Sequence, residues 1–258
     1  MTTKTEQIKK RLNEGDIFYV QYQGKYFFGK ILMDIGERIP QRGIPIKFAH
    51  DCYLVGVYKG IYDEPILLEK DFIIPSVYTL KKQFYLREYK TEWHFYKNEP
   101  INYKTDISFP ENITIVDKVG ICFRCGELQF VTQLSKEDWL GDFDIQRRVY
   151  FWYHSVLETA CHYQDRDDLI EYYIPQSFLE KEDLRFADKQ RQEVYKQIGE
   201  DPTISYYELE LKNGFDLGRL YNEVEEKGDV KLTFKGEIMK KKSSLKVSKD
   251  GDVAYLHL

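Results

Sequence analysis

The sequence predicts an α+β protein. A β-rich N-terminal domain, a small antiparallel sheet or barrel, is followed by a central helical segment and a C-terminal β-α-β-β-β unit. Three observations predict this. Residues 1–134 hold short apolar and aromatic runs separated by Gly and Pro, with six of the eight prolines. Around Ser135 the apolar spacing changes from about two residues to about 3.6. Beyond residue 205 alternation returns and closes on Asp250-Gly251, a strong hairpin dipeptide. The expected boundaries are 1–134, 135–205 and 206–258.

The first hairpin is read from Asp16–Tyr22 and Lys25–Met33, two aromatic-rich apolar runs. Gln23-Gly24 between them is a two-residue break with a glycine for positive φ. Cys52–Lys59, closed by Gly60, is the next strand. Gln83–Tyr89, Glu92–Lys97, Ile113–Val116 and Gly120–Val131 follow. Pro40, Pro45, Pro65, Pro75, Pro100 and Pro110 are read as breaks between these strands. In the middle segment, Ser135 and Asp138 form an N-cap and an acidic first turn. Ile145, Val149, Trp152, Val156 and Ala160 share one face of an amphipathic helix. Ser177-x-x-Glu180 is a capping box. Leu184, Ala187, Val194 and Ile198 share the next helical face, which Gly199 and Pro202 end. In the last unit Tyr206–Leu211 reads as a strand and Leu217–Val224 as a short helix closed by Gly228. Val230–Ile238 reads as a half-buried strand. Leu245–Ser248 and Val253–Leu258 are the arms of the final hairpin.

Composition narrows the function classes. A chain of 258 residues is long enough to bury a core without disulfides or metals. Hydrophobic residues make up 42% and charged residues 31%, a globular balance. With 21 Tyr and 16 Phe, aromatic content reaches 16%, which suits half-buried strands and interfaces. The net charge of −5 argues against a dedicated nucleic-acid binder, which usually carries a basic face. No apolar leader and no run of about 20 apolar residues is present, so the expectation is a cytoplasmic protein without a membrane span. Residues 135–205 hold 9 Lys and Arg against 16 Asp and Glu, so the excess acid lies in the middle segment. It concentrates at Asp142, Asp144, Asp165, Asp167, Asp168 and Glu171.

Candidate chemistry is sparse. Cys122-Phe-Arg-Cys125 is a C-x-x-C, but it lies in a strand rather than at a helix N-terminus, where a redox thiol would be activated. A zinc site would need a second ligand pair, and Cys161-His162 lacks that spacing. Asp165-Arg-Asp-Asp168 could hold a hard cation, yet no EF-hand pattern follows it. None of the five His forms a metal-binding pair, and no nucleophile elbow or phosphate loop is present. The expectation is a binding protein with no catalytic residues, no cofactor and no metal.

The block Gly15-Asp-Ile-Phe18, followed by Gly24-Lys-Tyr26 and Gly29-Lys-Ile-Leu32, resembles the immunity protein 26 family of bacterial polymorphic-toxin systems. Trp93, with Asn98 and Pro100 after it, resembles that family's later tryptophan segment. The resemblance covers about the first half of the chain. It implies stoichiometric binding and inhibition of a cognate protein toxin, with Gly15, Asp16, Phe18, Gly24, Tyr26, Gly29 and Trp93 in structural roles. Asp142, Asp144, Asp165, Asp167, Asp168 and Glu171 are the candidate partner surface, because an acidic inhibitor steers toward a basic toxin cleft. Two rival readings are a nucleic-acid- or peptide-binding β module and a metal-assisted enzyme.

Overall fold

A computed structural model of the chain describes residues 11–39, 47–85, 93–116, 119–135, 153–171 and 183–221. Among them the fold is α+β with two antiparallel sheets. The first has five strands: β1 (Asp16–Tyr22), β2 (Lys25–Asp34), β3 (Cys52–Tyr58), β4 (Phe72–Leu80) and β5 (Trp93–Asn98), in the order β4-β3-β2-β1-β5. The second runs β6 (Glu111–Val116), β7 (Gly120–Cys125), β8 (Leu128–Val131) in sequence order. The helices are α1 (Ile35–Arg38), α2 (Lys82–Tyr85), α3 (Tyr153–His162), α4 (Asp188–Ile198) and α5 (Tyr206–Lys212), with short 3₁₀ turns between them.

The opening hairpin forms as its residues dictate. Gln23 and Gly24 take φ of 48° and 71°, the paired positive angles of a two-residue turn whose twist matches the strands. The motif positions around it each do a backbone or packing job. Gly29 lies opposite Phe18, and a Cβ there would sit 2.6 Å from the Phe18 ring, so only glycine lets the ring lie across β2. At Gly15 φ is 83°, and a side chain would run into the Glu99 carbonyl. Asp16 accepts from the Asn13 amide at 2.8 Å and from Asn98 Nδ2 at 2.8 Å, tying β1 to β5. Tyr26 exchanges backbone hydrogen bonds with Tyr62. The Trp93 indole donates to the Phe84 carbonyl at 2.5 Å.

Several sequence expectations are corrected. Tyr206–Leu211 is helix α5, not a strand. Its YELEL alternation fits both periods, but Ser205 and Glu208 close a reciprocal capping box, and Tyr206, Leu209 and Glu210 are buried at helical spacing. The expected strand Gln83–Tyr89 instead begins with α2, whose Phe84 packs edge-on against Phe18 at 5.4 Å. Its last four residues lie outside the described residues. Pro75 does not separate strands but sits inside β4. It is tolerated because β4 is an edge strand, and the register against β3 slips beside it, between Val55 and Val57. Gly120–Val131 is two strands, folded back at Gly126, whose φ is 56°. The helix expected from Leu184 is a 3₁₀ turn, Leu184–Phe186, followed by α4, which ends on left-handed Gly199. The start of the helix before α3, the Ser177–Glu180 box, and everything beyond Tyr221 lie outside the described residues.

Packing follows the pleat. One face of the first sheet turns Phe18, Val20, Phe27, Ile31, Tyr53 and Val55 toward Leu157 and Cys161 of α3. Val57, Ile74 and Val77 on that side meet Val156 and Ala160. The opposite face divides in two. Leu32, Cys52, Leu54 and Tyr78 join the largest apolar cluster, with Phe109, Phe123 and Phe130 around the second sheet and Tyr195, Leu209 and Leu217 from the helices. Ile17, Phe28 and Tyr58 lie at the other end, among partly open Tyr19, Tyr26, Tyr62, Phe72 and Tyr96.

Three buried ionic clusters lock these layers. Arg185 pairs with Asp183, reaches Ser76 O at 2.7 Å and Ser108 Oγ at 3.0 Å, while Asp183 accepts from the Glu111 amide at 3.2 Å. Glu111 in turn holds Arg191 through two 2.7 Å bonds and Tyr195 at 2.9 Å, fixing α4 to β6. At the Gly126 turn, Glu127 and Glu210 share Arg219 and Tyr206. Burial, then the Glu127 charge and a hydrogen bond to it, push Glu210 up to about 8.

Two measurements check these clusters. Arg185→Met strands the Asp183 carboxylate and is expected to lose about 3–5 kcal/mol in urea denaturation, with much of it recovered by adding Asp183→Asn. Glu210 holds its proton more tightly folded than unfolded, so its contribution is complete below the unfolded value of 4.5 and is lost as pH rises to about 8. Denaturant midpoints should fall across that window and level off above it, and Glu210→Gln should flatten the slope.

Candidate functional site

The acidic segment is built where α3 ends. Its last turn carries His162. The chain then bends through Asp165, which holds a left-handed φ of 56°, into the 3₁₀ turn Asp167–Leu169. Leu169 is buried and anchors the turn from below. His162 Nδ1 lies 2.8 Å from Asp167 Oδ1, and Arg166 grips Asp168 through bonds of 2.7 and 2.8 Å. The Arg166 partnership lowers the Asp168 carboxyl below its ordinary range. The side chains of Asp167 and Asp168 remain 56% and 61% exposed.

This turn is docked on the opening hairpin. Buried Glu158 of α3 accepts from Tyr22 Oη at 2.6 Å and from the Glu171 amide at 3.2 Å. Gln23 at the hairpin tip donates to Glu171 at 3.2 Å, and the Gly60 amide donates to Gln164 at 2.6 Å. Lys25 and Asp63 form an ion pair beside them. The hairpin motif and the acidic turn, far apart in sequence, lie side by side in the fold. Asp142 and Asp144 lie outside the described residues.

The thiols sit where burial suppresses their chemistry. Cys122 and Cys125 are both on β7, and Cys125 Sγ contacts the Phe109 carbonyl at 3.6 Å. Burial pushes the thiols of Cys52 and Cys161 up to about 12 and that of Cys122 up to about 11, with Cys125 raised well above its ordinary value. Among the described residues, no three His, Cys, Asp or Glu side chains gather as a metal site. No described helix is long and apolar enough to cross a membrane.

A second feature was missed by sequence reasoning. On the partly open half of the first sheet, Lys30, Tyr58, Phe72, Lys70, Lys97 and Glu99 surround a cavity of about 300 Å³. The available signal was Lys30 itself, a lysine inside the otherwise apolar run Phe27–Met33.

Comparison with protein-family models, with curated proteins and with solved structures finds no match for the chain.

Native protein treated with iodoacetamide at neutral pH is expected to stay unmodified at Cys52, Cys122, Cys125 and Cys161, while guanidinium-unfolded protein takes up label at all four, as read by mass spectrometry.

Proposed function

We propose that this protein is a non-catalytic binding protein that neutralises a cognate protein toxin by forming a stoichiometric complex. One observation carries the reading: exposed carboxylates at Asp165, Asp167 and Asp168 are held on a hydrogen-bonded turn beside the hairpin that resembles the immunity protein 26 family. An inhibitor needs a preorganised surface rather than an activated group, since ordering a loop on binding subtracts from affinity. The buried Tyr22–Glu158 bond and the Gln164 contact supply that order. Arg166 neutralises part of the turn, but Asp165, Asp167 and Glu171 leave the edge acidic. Such an edge accelerates encounter with a basic toxin cleft and competes with the phosphates of a nucleic-acid substrate.

The partner would be the toxin domain encoded beside this gene. Asp165→Ala, Asp167→Ala and Asp168→Ala together are expected to slow association with it about tenfold or more at low salt, with a weaker salt dependence, in surface plasmon resonance. Unchanged association and unchanged protection of toxin-expressing cells would overturn the assignment of this surface. Absence of any complex with that domain would overturn the function itself.

A further inference from the structure

The cavity on the first sheet is built by register, not by loose surface side chains. Ile17 lies opposite Lys30 on one side and Lys97 on the other, so the two lysines sit either side of a fully buried residue of β1. Lys30 also lies opposite Gly56, and a Cβ at Gly56 would sit 2.7 Å from the Phe72 ring. Glycine there lets Phe72 lie over the sheet, at 4.7 Å from the Tyr58 ring, as the aromatic wall. Lys70 stands at the mouth, and exposed Ile66 and Leu68 flank the lining residue Leu67.

The electrostatics are locally positive within a chain of net charge −5. Three ammonium groups face the carboxylates of Glu99 and Asp106. Lys30 is 5% exposed, yet its acceptors are distant: the Pro100 carbonyl at 3.4 Å and Asp106 at 3.6 Å. Charge-assisted bonds normally close to about 2.7–2.9 Å, and a buried ammonium recovers its desolvation cost only through close partners. Glu99 shows what this cluster accepts. Its carboxylate pairs with Lys97 at 2.7 Å, and Lys97, Lys70 and Lys30 all hold it below its ordinary range.

We propose that this cavity binds a small ligand with one oxyanion group on a flat apolar body, an aromatic carboxylate or a phosphate monoester. The oxyanion lies between Lys30 and Lys97, and the flat body rests against Phe72, Tyr58 and Leu67. The volume lies at the lower edge of small-molecule sites, of roughly 300–1,000 Å³, which sets the ligand near one ring in size. This site is separate from the acidic turn and does not depend on the toxin-binding reading.

The test uses the full chain with phenyl phosphate, phenylacetate and inorganic phosphate, read by isothermal titration calorimetry and by amide shifts of Ile17 and Gly56. Saturable binding of either aromatic anion is expected, with inorganic phosphate at least about tenfold weaker because it lacks the apolar body. The better of the two aromatic anions identifies the oxyanion. Lys97→Ala, at a half-buried position on the edge strand β5, should weaken binding about tenfold, the loss of one charge-assisted contact. Glu99→Gln should strengthen it by removing the competing carboxylate. No saturation by either aromatic anion at millimolar concentration, equal binding of inorganic phosphate, or affinities indifferent to both substitutions would overturn the proposal.

Discussion

The Arg185–Asp183 pair is the constraint through which the described layers meet. Its guanidinium reaches the β4 backbone at Ser76, and its carboxylate receives the amide that begins β6. One short polar segment therefore joins the five-stranded sheet, the three-stranded sheet and the approach to α4. A buried pair of this kind contributes little net stability over an apolar substitute, but its geometry admits few alternatives. Glu111 extends the same arrangement to Arg191 and Tyr195, so α4 is positioned by directional bonds as well as by Val194 and Ile198.

With the layers fixed, the two faces of the first sheet take different fates. The face under α3 is closed by apolar contacts, and α3 brings the turn that follows it to the hairpin through Glu158 and to the Gly60 backbone through Gln164. Among the described residues, the second sheet and its helices cover only part of the other face. The uncovered part keeps its aromatic rings and lysines at the surface. An acidic edge and a basic, aromatic hollow thus sit on one scaffold. That polarity is invisible in the chain's total charge of −5, which does not record where the charges sit.

What the sequence made legible was local and periodic. The first hairpin, Gly199 as a helix stop, the Gly126 turn and the membership of Val156 and Ala160 in a buried helical face could be read from spacing and glycine chemistry. Tyr206–Leu211 was misread because YELEL satisfies two periods, and the capping residues that decide between them lie at its start. β4 was hidden by Pro75, whose acceptance depends on the strand being an edge, a property of topology and not of neighbours in sequence. The acidic turn was visible as composition. Its docking on the hairpin was not, since Tyr22 and Glu158 are far apart along the chain. The cavity arises from the crossing of four strands in register, which no single run of residues encodes.

Pro75 has a consequence beyond the position of one strand. An edge strand is a template for other chains, through its free amides and carbonyls. β4 lacks a donor at Pro75, slips its register there, and has the adjacent Ser76 carbonyl already taken by Arg185. The same guanidinium that fastens the layers therefore blunts this margin of the sheet as a seed for intermolecular zippering, so the contact that completes the fold also guards crowded, newly made chains against joining one another along it.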